Sequence, residues 1–99
     1  MKLAKVRKRS GQRVNYDREK IFNAIAGANR DASTPADKLS DDDVELVTNS
    51  VEQAIAENEI IGVEEIQDQV EKCLMAHGFF DVAKQFIVYR QKHSPPFKV

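Results

Sequence analysis

The stretch LAKVRKRSGQRVNYD, residues 3–17, decides the fold of this chain. Two short runs that favour β-strands flank the pair Ser10-Gly11, and glycine adopts a positive φ at little steric cost. The pattern therefore predicts a hairpin with strands near 3–9 and 12–16. An isolated hairpin is marginal in water, so this one must pack against the segments that follow it.

Four later segments place apolar residues at helical spacing, which predicts helices over about 18–29, 41–57, 63–77 and 80–92. Asp17 is a favoured N-cap for the first helix, because its carboxylate accepts a free amide of the first turn. The apolar run at 60–63 predicts a short third strand. Together these elements predict an α+β fold: a four-helix bundle capped by a small N-terminal β-hairpin or three-stranded sheet.

Length and composition indicate one small globular domain. The chain has 99 residues, of which 41% are hydrophobic and 31% charged, a mixture that argues against full disorder. It contains neither an apolar run long enough to span a membrane nor an N-terminal secretion signal. Cys73 is the single cysteine, which excludes an internal disulfide and a cysteine-only zinc site. The cytoplasm is the expected location.

Charge is distributed unevenly along the chain. Residues 1–20 carry eight basic and two acidic side chains, although the formal net charge of the whole chain is -1. Between Asp31 and Glu71 there are thirteen acids and one base, Lys38. A general nucleic-acid binder would show a dominant basic surface, so this pattern better suits a compact anion such as phosphate. The simpler alternative is that the basic residues form only a solvated face.

The sequence lacks the common motifs for catalysis, metal binding and nucleotide binding. It has no Walker loop, no GxGxxG, no HExxH and no CxxC, and its two histidines and one cysteine do not form a credible metal site. We therefore predict no catalytic residue and no metal ligand.

One group of residues around the predicted hairpin remains. A phosphate chain would lie along Lys8, Arg9 and Lys20, near the positive end of the first helix. The apolar residues Val6 and Ile21 would flank a flat base. Asp17 would accept a hydrogen bond from an exocyclic amine, which favours adenine.

Three segments, in order, resemble the ATP-cone family, a regulatory domain of many ribonucleotide reductases. They are VRKRSG with YDREKI at 6–11 and 16–21, EEIQDQVEKCL at 64–74, and AKQFIVYR at 83–90. The resemblance covers about 4–92, nearly the whole chain. It implies a domain over residues 1–92 and a linker or tail over 93–99.

The resemblance implies an effector site for ATP or dATP, accompanied by Mg²⁺. It assigns phosphate contacts to Lys8, Arg9 and Lys20, base contacts to Asp17, Val6 and Ile21, and a sugar environment to Val63 and Gln67. Some relatives carry Thr and His at the last two positions, so discrimination between ATP and dATP is expected to differ here. Lys92 is a candidate replacement for a phosphate-binding lysine that some relatives place at the position of Gln91.

The implied partners are adenine nucleotides and the catalytic domain of a ribonucleotide reductase, and a second copy of this chain is a further candidate. An alternative is the cone of the transcriptional repressor of reductase genes, which follows a zinc ribbon of four cysteines; no cysteine precedes Val6 here. A second alternative is a helical interaction module without a ligand. A third, a nucleic-acid binder that uses the basic hairpin, conflicts with the charge balance.

Overall fold

The computed structural model describes residues 3–31 and 39–93, with side chains through Arg90. In these ranges the order of elements is β1 (Lys5–Arg7), β2 (Arg13–Asn15), α1 (Arg18–Arg30), α2 (Asp41–Ile55), β3 (Ile60–Gly62), α3 (Val63–Ala76) and α4 (Phe80–His93). The predicted α+β fold is confirmed. The helices end within two residues of their predicted limits, whereas each hairpin strand is shorter than predicted.

The hairpin turns where the Ser10-Gly11 pair predicts it. The amide of Gly11 donates to the carbonyl of Lys8 at 2.9 Å, and the amide of Lys8 donates to the carbonyl of Gln12 at 2.8 Å. Gly11 has a φ of 93°, which a residue with a Cβ rarely adopts. The chain therefore reverses within three residues, Arg9 to Gly11.

The three strands form one mixed sheet in the order β2-β1-β3. β1 pairs antiparallel with β2 and parallel with β3, so α1 and α2 together form the crossover between the two parallel strands. Val6 lies opposite both Val14 and Ile61 in the register. These three residues are partly or fully buried, while Arg7 and Arg13 are exposed and lie opposite each other.

The helices form a closed ring in which α1 contacts α2 and α4, and α3 contacts the same two helices. Their apolar stripes, with Leu3 and Ile61, form one buried cluster. Ile25, Val47, Val51, Leu74 and Val82 within it have no exposed surface. The sheet therefore closes one side of a bundle whose interior is filled by aliphatic side chains.

Local capping sets the starts and ends of the helices. Ser40 and Asp43 form a reciprocal capping box at the start of α2. Gly78 follows α3 with a φ of 82°, the left-handed conformation in which glycine commonly ends a helix. The Asn29 side chain holds Leu39 by two hydrogen bonds, of 2.7 and 2.9 Å, which fixes the start of α2 against the end of α1.

Residues 94–99 lie outside the described part, so the predicted linker or tail over 93–99 stays a prediction, although α4 includes His93. The sequence also predicts a loop over 30–39, between the first two helices. Most of that segment lies outside the described residues, while Arg30 is the last residue of α1. Of the helices that the structure describes, none combines the length and apolar character that crossing a membrane would require.

We expect Ile25→Ala to lower the free energy of unfolding by about 2–5 kcal/mol, because it removes a fully buried side chain and leaves a cavity. Leu46→Ala is the matched control, since Leu46 is also helical but 46% exposed. Urea denaturation followed by circular dichroism measures both. Equal losses of stability in the two variants would contradict the assignment of Ile25 to the core.

Candidate functional site

A cavity of about 190 Å³ lies between the sheet and the bundle, and we call it the main cavity. The sheet and the residues after it contribute Val6, Lys8, Val14, Asn15, Tyr16 and Asp17, and α1 contributes Lys20, Ile21 and Ala24. α3 contributes Val63, Ile66, Gln67 and Val70, and α4 contributes Phe86 and Tyr89. The site therefore joins the first residues of the chain to its last two described helices.

Burial divides the lining into an apolar floor and a polar rim. Ile21, Ile66, Val70 and Phe86 are buried and form the floor, whereas the lining residues Lys8, Asn15, Asp17 and Lys20 are exposed. Such a lining suits a ligand with a flat apolar part and a charged part that remains near solvent. The structure thus brings seven of the nine predicted site residues to one cavity.

Asp17 combines two positions that the sequence predicts for it. Its Oδ1 accepts the amide of Glu19 at 3.0 Å, which confirms the N-cap of α1. The same side chain lines the main cavity. Among the described residues, no other hydrogen bond or ion pair holds this carboxylate, which leaves Oδ2 available to a ligand.

Lys8 and Lys20 reach the rim from two different elements. Lys8 directly follows β1, and Lys20 lies in the first turn of α1, whose amide end carries a partial positive charge. Asp17 supplies one negative charge at the same rim. Two ammonium groups beside a helix N-terminus make this edge attractive to an anion.

Arg9 is placed differently from the other predicted cations. It does not line the main cavity, and its Nε forms an ion pair with Oε2 of Glu64 at 2.9 Å. Both residues border a second, more open cavity of about 250 Å³, which we call the side cavity. Lys8 and Val63 line both cavities, so the two spaces adjoin.

Gln67 brings an unpaired polar atom to the lining of the main cavity. Its Oε1 is buried and accepts no hydrogen bond from any residue that the structure describes. A buried acceptor without a donor costs free energy, about 1–3 kcal/mol. A ligand hydroxyl or amine would remove that cost. The predicted residue Val63 lies one helical turn earlier in α3, whereas the side chain of Lys92 lies outside the described residues.

Tyr16 lines the main cavity, although the sequence predicts no binding role for it. Its hydroxyl donates to Oε2 of Glu52 in α2 at 2.7 Å, and Arg18 donates to the other carboxylate oxygen at 3.2 Å. Burial raises the pKa of the Tyr16 hydroxyl above its usual range, and the hydrogen bond to Glu52 raises it further. The hydroxyl therefore remains a donor at neutral pH and links the cavity wall to α2.

Two arginines brace the helices around the site. Arg18 of α1 donates hydrogen bonds to Glu45 and Asn49 of α2, in addition to the one to Glu52. Arg90 of α4 forms ion pairs with Asp68 and Glu71 of α3. The hydrogen bond to Glu45 contributes most to raising the pKa of Arg18. These contacts join residues 19 to 34 positions apart, so no local sequence signal identifies them.

Phe86 and Tyr89 also line the cavity without having been predicted as site residues. Their rings stack with centroids 6.1 Å apart. Both lie in the segment AKQFIVYR that carries the family resemblance, which is the signal that would have pointed to them.

The described residues offer no alternative chemical centre. They contain no group of three or more His, Cys, Asp or Glu side chains that could hold a metal ion. Cys73 is half-buried, and this burial raises the pKa of its thiol, which lowers its thiolate fraction. The main cavity is therefore the candidate site.

Comparison with known proteins gives the same residues a family context. The sequence pattern described as "ATP cone domain" matches residues 4–95. The chain is 38% identical to the ribonucleoside-diphosphate reductase subunit alpha of Chlamydia trachomatis over 92 residues, which cover 84% of this chain and 9% of that protein. It is 34% identical to the vitamin B12-dependent ribonucleoside-diphosphate reductase of Mycobacterium tuberculosis over 91 residues, which cover 92% of this chain and 12% of that protein.

The reductase subunit alpha of Treponema pallidum is 38% identical over 94 residues, which cover 88% of this chain and 11% of that protein. The chain thus spans about a tenth of the length of these relatives.

We expect Gln67→Leu to raise the free energy of unfolding by about 1 kcal/mol, because it removes a buried acceptor without a partner and keeps a similar volume. Gln69→Leu, two positions along the same helix, is the control for the change in polarity. Chemical denaturation in the absence of ligand measures both. A clear loss of stability in Gln67→Leu alone would show that the amide is already satisfied.

Proposed function

Since this chain belongs to the ATP-cone family, we propose that it binds ATP or dATP in the main cavity and thereby regulates a ribonucleotide reductase. The observation that carries the proposal is the position of Lys8 and Lys20 at the rim of an apolar cavity. Eleven residues, which include the hairpin turn and β2, separate these lysines in sequence, and the fold brings both to one opening. A nucleoside triphosphate has the matching division into a flat base and a charged chain.

The chain itself is a regulatory domain and not an enzyme. Its family is regulatory, and it covers only 9% and 12% of the two reductases described first above. The reductase catalytic domain is the partner that we propose for it, and a cytoplasmic location follows from that assignment. Effector binding would alter this partner only if each nucleotide has different affinities for two states of the assembly.

We place the base in the main cavity, in contact with Val6 and Ile21. The apolar floor supports this orientation, because it offers dispersion contacts and few hydrogen bonds. Oδ2 of Asp17 would accept the exocyclic amine of adenine, while Oδ1 continues to cap α1. Guanine presents a carbonyl at the equivalent position, and a carboxylate would repel it.

The triphosphate would leave the cavity past Lys8 and Lys20. Mg²⁺ would bridge its oxygens, since this ion is usually held by substrate phosphates and one or two carboxylates. Arg9 and Lys92 remain predicted phosphate contacts. Arg9 would reach the phosphate chain from the side cavity.

Gln67 and Val63 are the residues that we assign to the sugar. The buried Oε1 of Gln67 lacks a donor, and the 2′-hydroxyl of ATP is a donor that dATP does not have. A hydroxyl that satisfies a buried acceptor favours the ligand that carries it. We therefore propose that Gln67 favours ATP over dATP, and that Gln67→Leu reduces this preference.

The direct test is isothermal titration calorimetry with ATP, dATP and GTP, each with and without Mg²⁺. Binding of the adenine nucleotides with weaker or absent binding of GTP supports the proposal. No heat and no thermal stabilisation at millimolar nucleotide would instead favour the helical interaction module.

We expect Lys8→Ala and Lys20→Ala each to weaken ATP binding by about 1.5–3 kcal/mol, the range for a hydrogen bond to a charged group. Lys84→Ala on the exposed surface of α4 is the control and should leave the affinity unchanged. Calorimetric dissociation constants measure all three. Native affinity in both rim variants would remove the lysines from the site.

We expect Asp17→Asn to reduce the ratio of ATP to GTP affinity by about tenfold, because its amide group would present a donor where the carboxylate presents an acceptor. Asparagine is as good an N-cap as aspartate, so stability should change little. Asp17→Ala removes the cap as well and should cost roughly 1 kcal/mol of stability. An unchanged ratio in Asp17→Asn would refute the role of Asp17 in base selection.

A further inference from the structure

We propose that Glu64 is a specificity-determining residue of this site, because it competes with the polyphosphate chain for Arg9. The inference rests on the proposed function, since it concerns the same nucleotide. Glu64 is not among the residues that the sequence analysis assigned to the site. Its carboxylate engages the guanidinium of Arg9 at 2.9 Å, so a predicted phosphate ligand is already paired before any nucleotide arrives.

The position of the pair relative to the two cavities supports competition. Lys8 and Val63 border both cavities, so a chain of phosphates that leaves the main cavity past Lys8 enters the side cavity. Arg9 and Glu64 both line that space. A phosphate oxygen that reaches Arg9 there must replace the carboxylate or share the guanidinium with it.

Because the ion pair of Arg9 and Glu64 is exposed, breaking it costs little free energy. The side chains of Arg9 and Glu64 are 32% and 56% exposed, and ion pairs in such settings contribute little to stability. A polyphosphate carries more charge than one carboxylate and can displace it, whereas a weakly charged anion gains less from the exchange. Glu64 would thus lower the affinity for every anion while preserving preference for highly charged ones.

Glu65 provides a matched control one residue away. It lines the same side cavity and carries the same charge, but its Oε1 accepts the amide of Gly62 at 3.1 Å. Glutamine serves equally well as the acceptor at this third helical position. Glu64→Gln and Glu65→Gln therefore remove the same charge from the same cavity, and Glu64→Gln in addition breaks the ion pair between Glu64 and Arg9.

The experiment measures ATP affinity by calorimetry for the native chain, Glu64→Gln, Glu65→Gln, Arg9→Ala and the double variant of Arg9→Ala with Glu64→Gln, with Mg²⁺ and in its absence. We expect Glu64→Gln to tighten binding about two- to fivefold, the scale of an exposed ion pair. Glu65→Gln should give a clearly smaller gain. In the Arg9→Ala background the gain from Glu64→Gln should vanish, which is the signature of a coupled pair.

Each of the following results would overturn the inference. Equal gains in the two glutamate variants would indicate a general effect of charge, and a gain that persists without Arg9 would indicate that the pair is irrelevant. If Glu64→Gln binds ATP more weakly than the native chain only when Mg²⁺ is present, the Glu64 carboxylate is a metal ligand instead. If the native chain binds no ATP, the proposed function fails; if Lys8→Ala weakens ATP binding but Glu64→Gln matches the native chain, only the competition fails.

Discussion

The packing of Val6 against the buried core is the constraint on which the rest of this structure depends. Three-residue strands have too little apolar surface to remain folded alone. Their inward side chains must therefore be covered by the helices, while Lys5, Arg7 and Arg13 remain exposed. The cover is incomplete, and the space left between sheet and bundle is the main cavity. A small sheet that docks on a bundle thus provides both the closure of the fold and the candidate site.

The same arrangement explains how so short a chain places charge beside an apolar surface. The tight turn at Gly11 and the cap at Asp17 bring the basic hairpin and the N-terminus of α1 to one edge. The floor belongs to residues of α1, α3 and α4. In the proposed binding mode, Lys8 and Lys20 at the rim would attract phosphate, whereas the floor, Asp17 and Gln67 would contact the nucleoside.

The fold was predictable from sequence wherever a local rule determines the structure. Gly11, Asp17, Ser40 and Gly78 set turns and helix ends through backbone conformation and short-range hydrogen bonds, so their effects are visible in a few neighbouring residues. The predicted strands were too long. Residues that favour β-strands continue into the turn region at Lys8, whereas the pairing of β1 with β2 and β3 stops at Arg7.

The site was predictable only in its outline. Residue types and the family resemblance identified most of its charged rim and part of its apolar lining. They could not reveal that Gln67 has a buried acceptor without a partner, that Tyr16 bonds Glu52, or that Glu64 holds Arg9. Each of these facts depends on the distance between elements far apart in sequence, and packing alone determines that distance.

The central position of β1 in the sheet has a consequence for the order of folding. β1 needs β3 as its parallel neighbour, and β3 begins only at Ile60, after two helices. Contacts across such long sequence separations form late, because the intervening loop must close first. During synthesis on the ribosome, Val6 of β1, which lines the main cavity, can therefore reach its final packing only after β3 has been made.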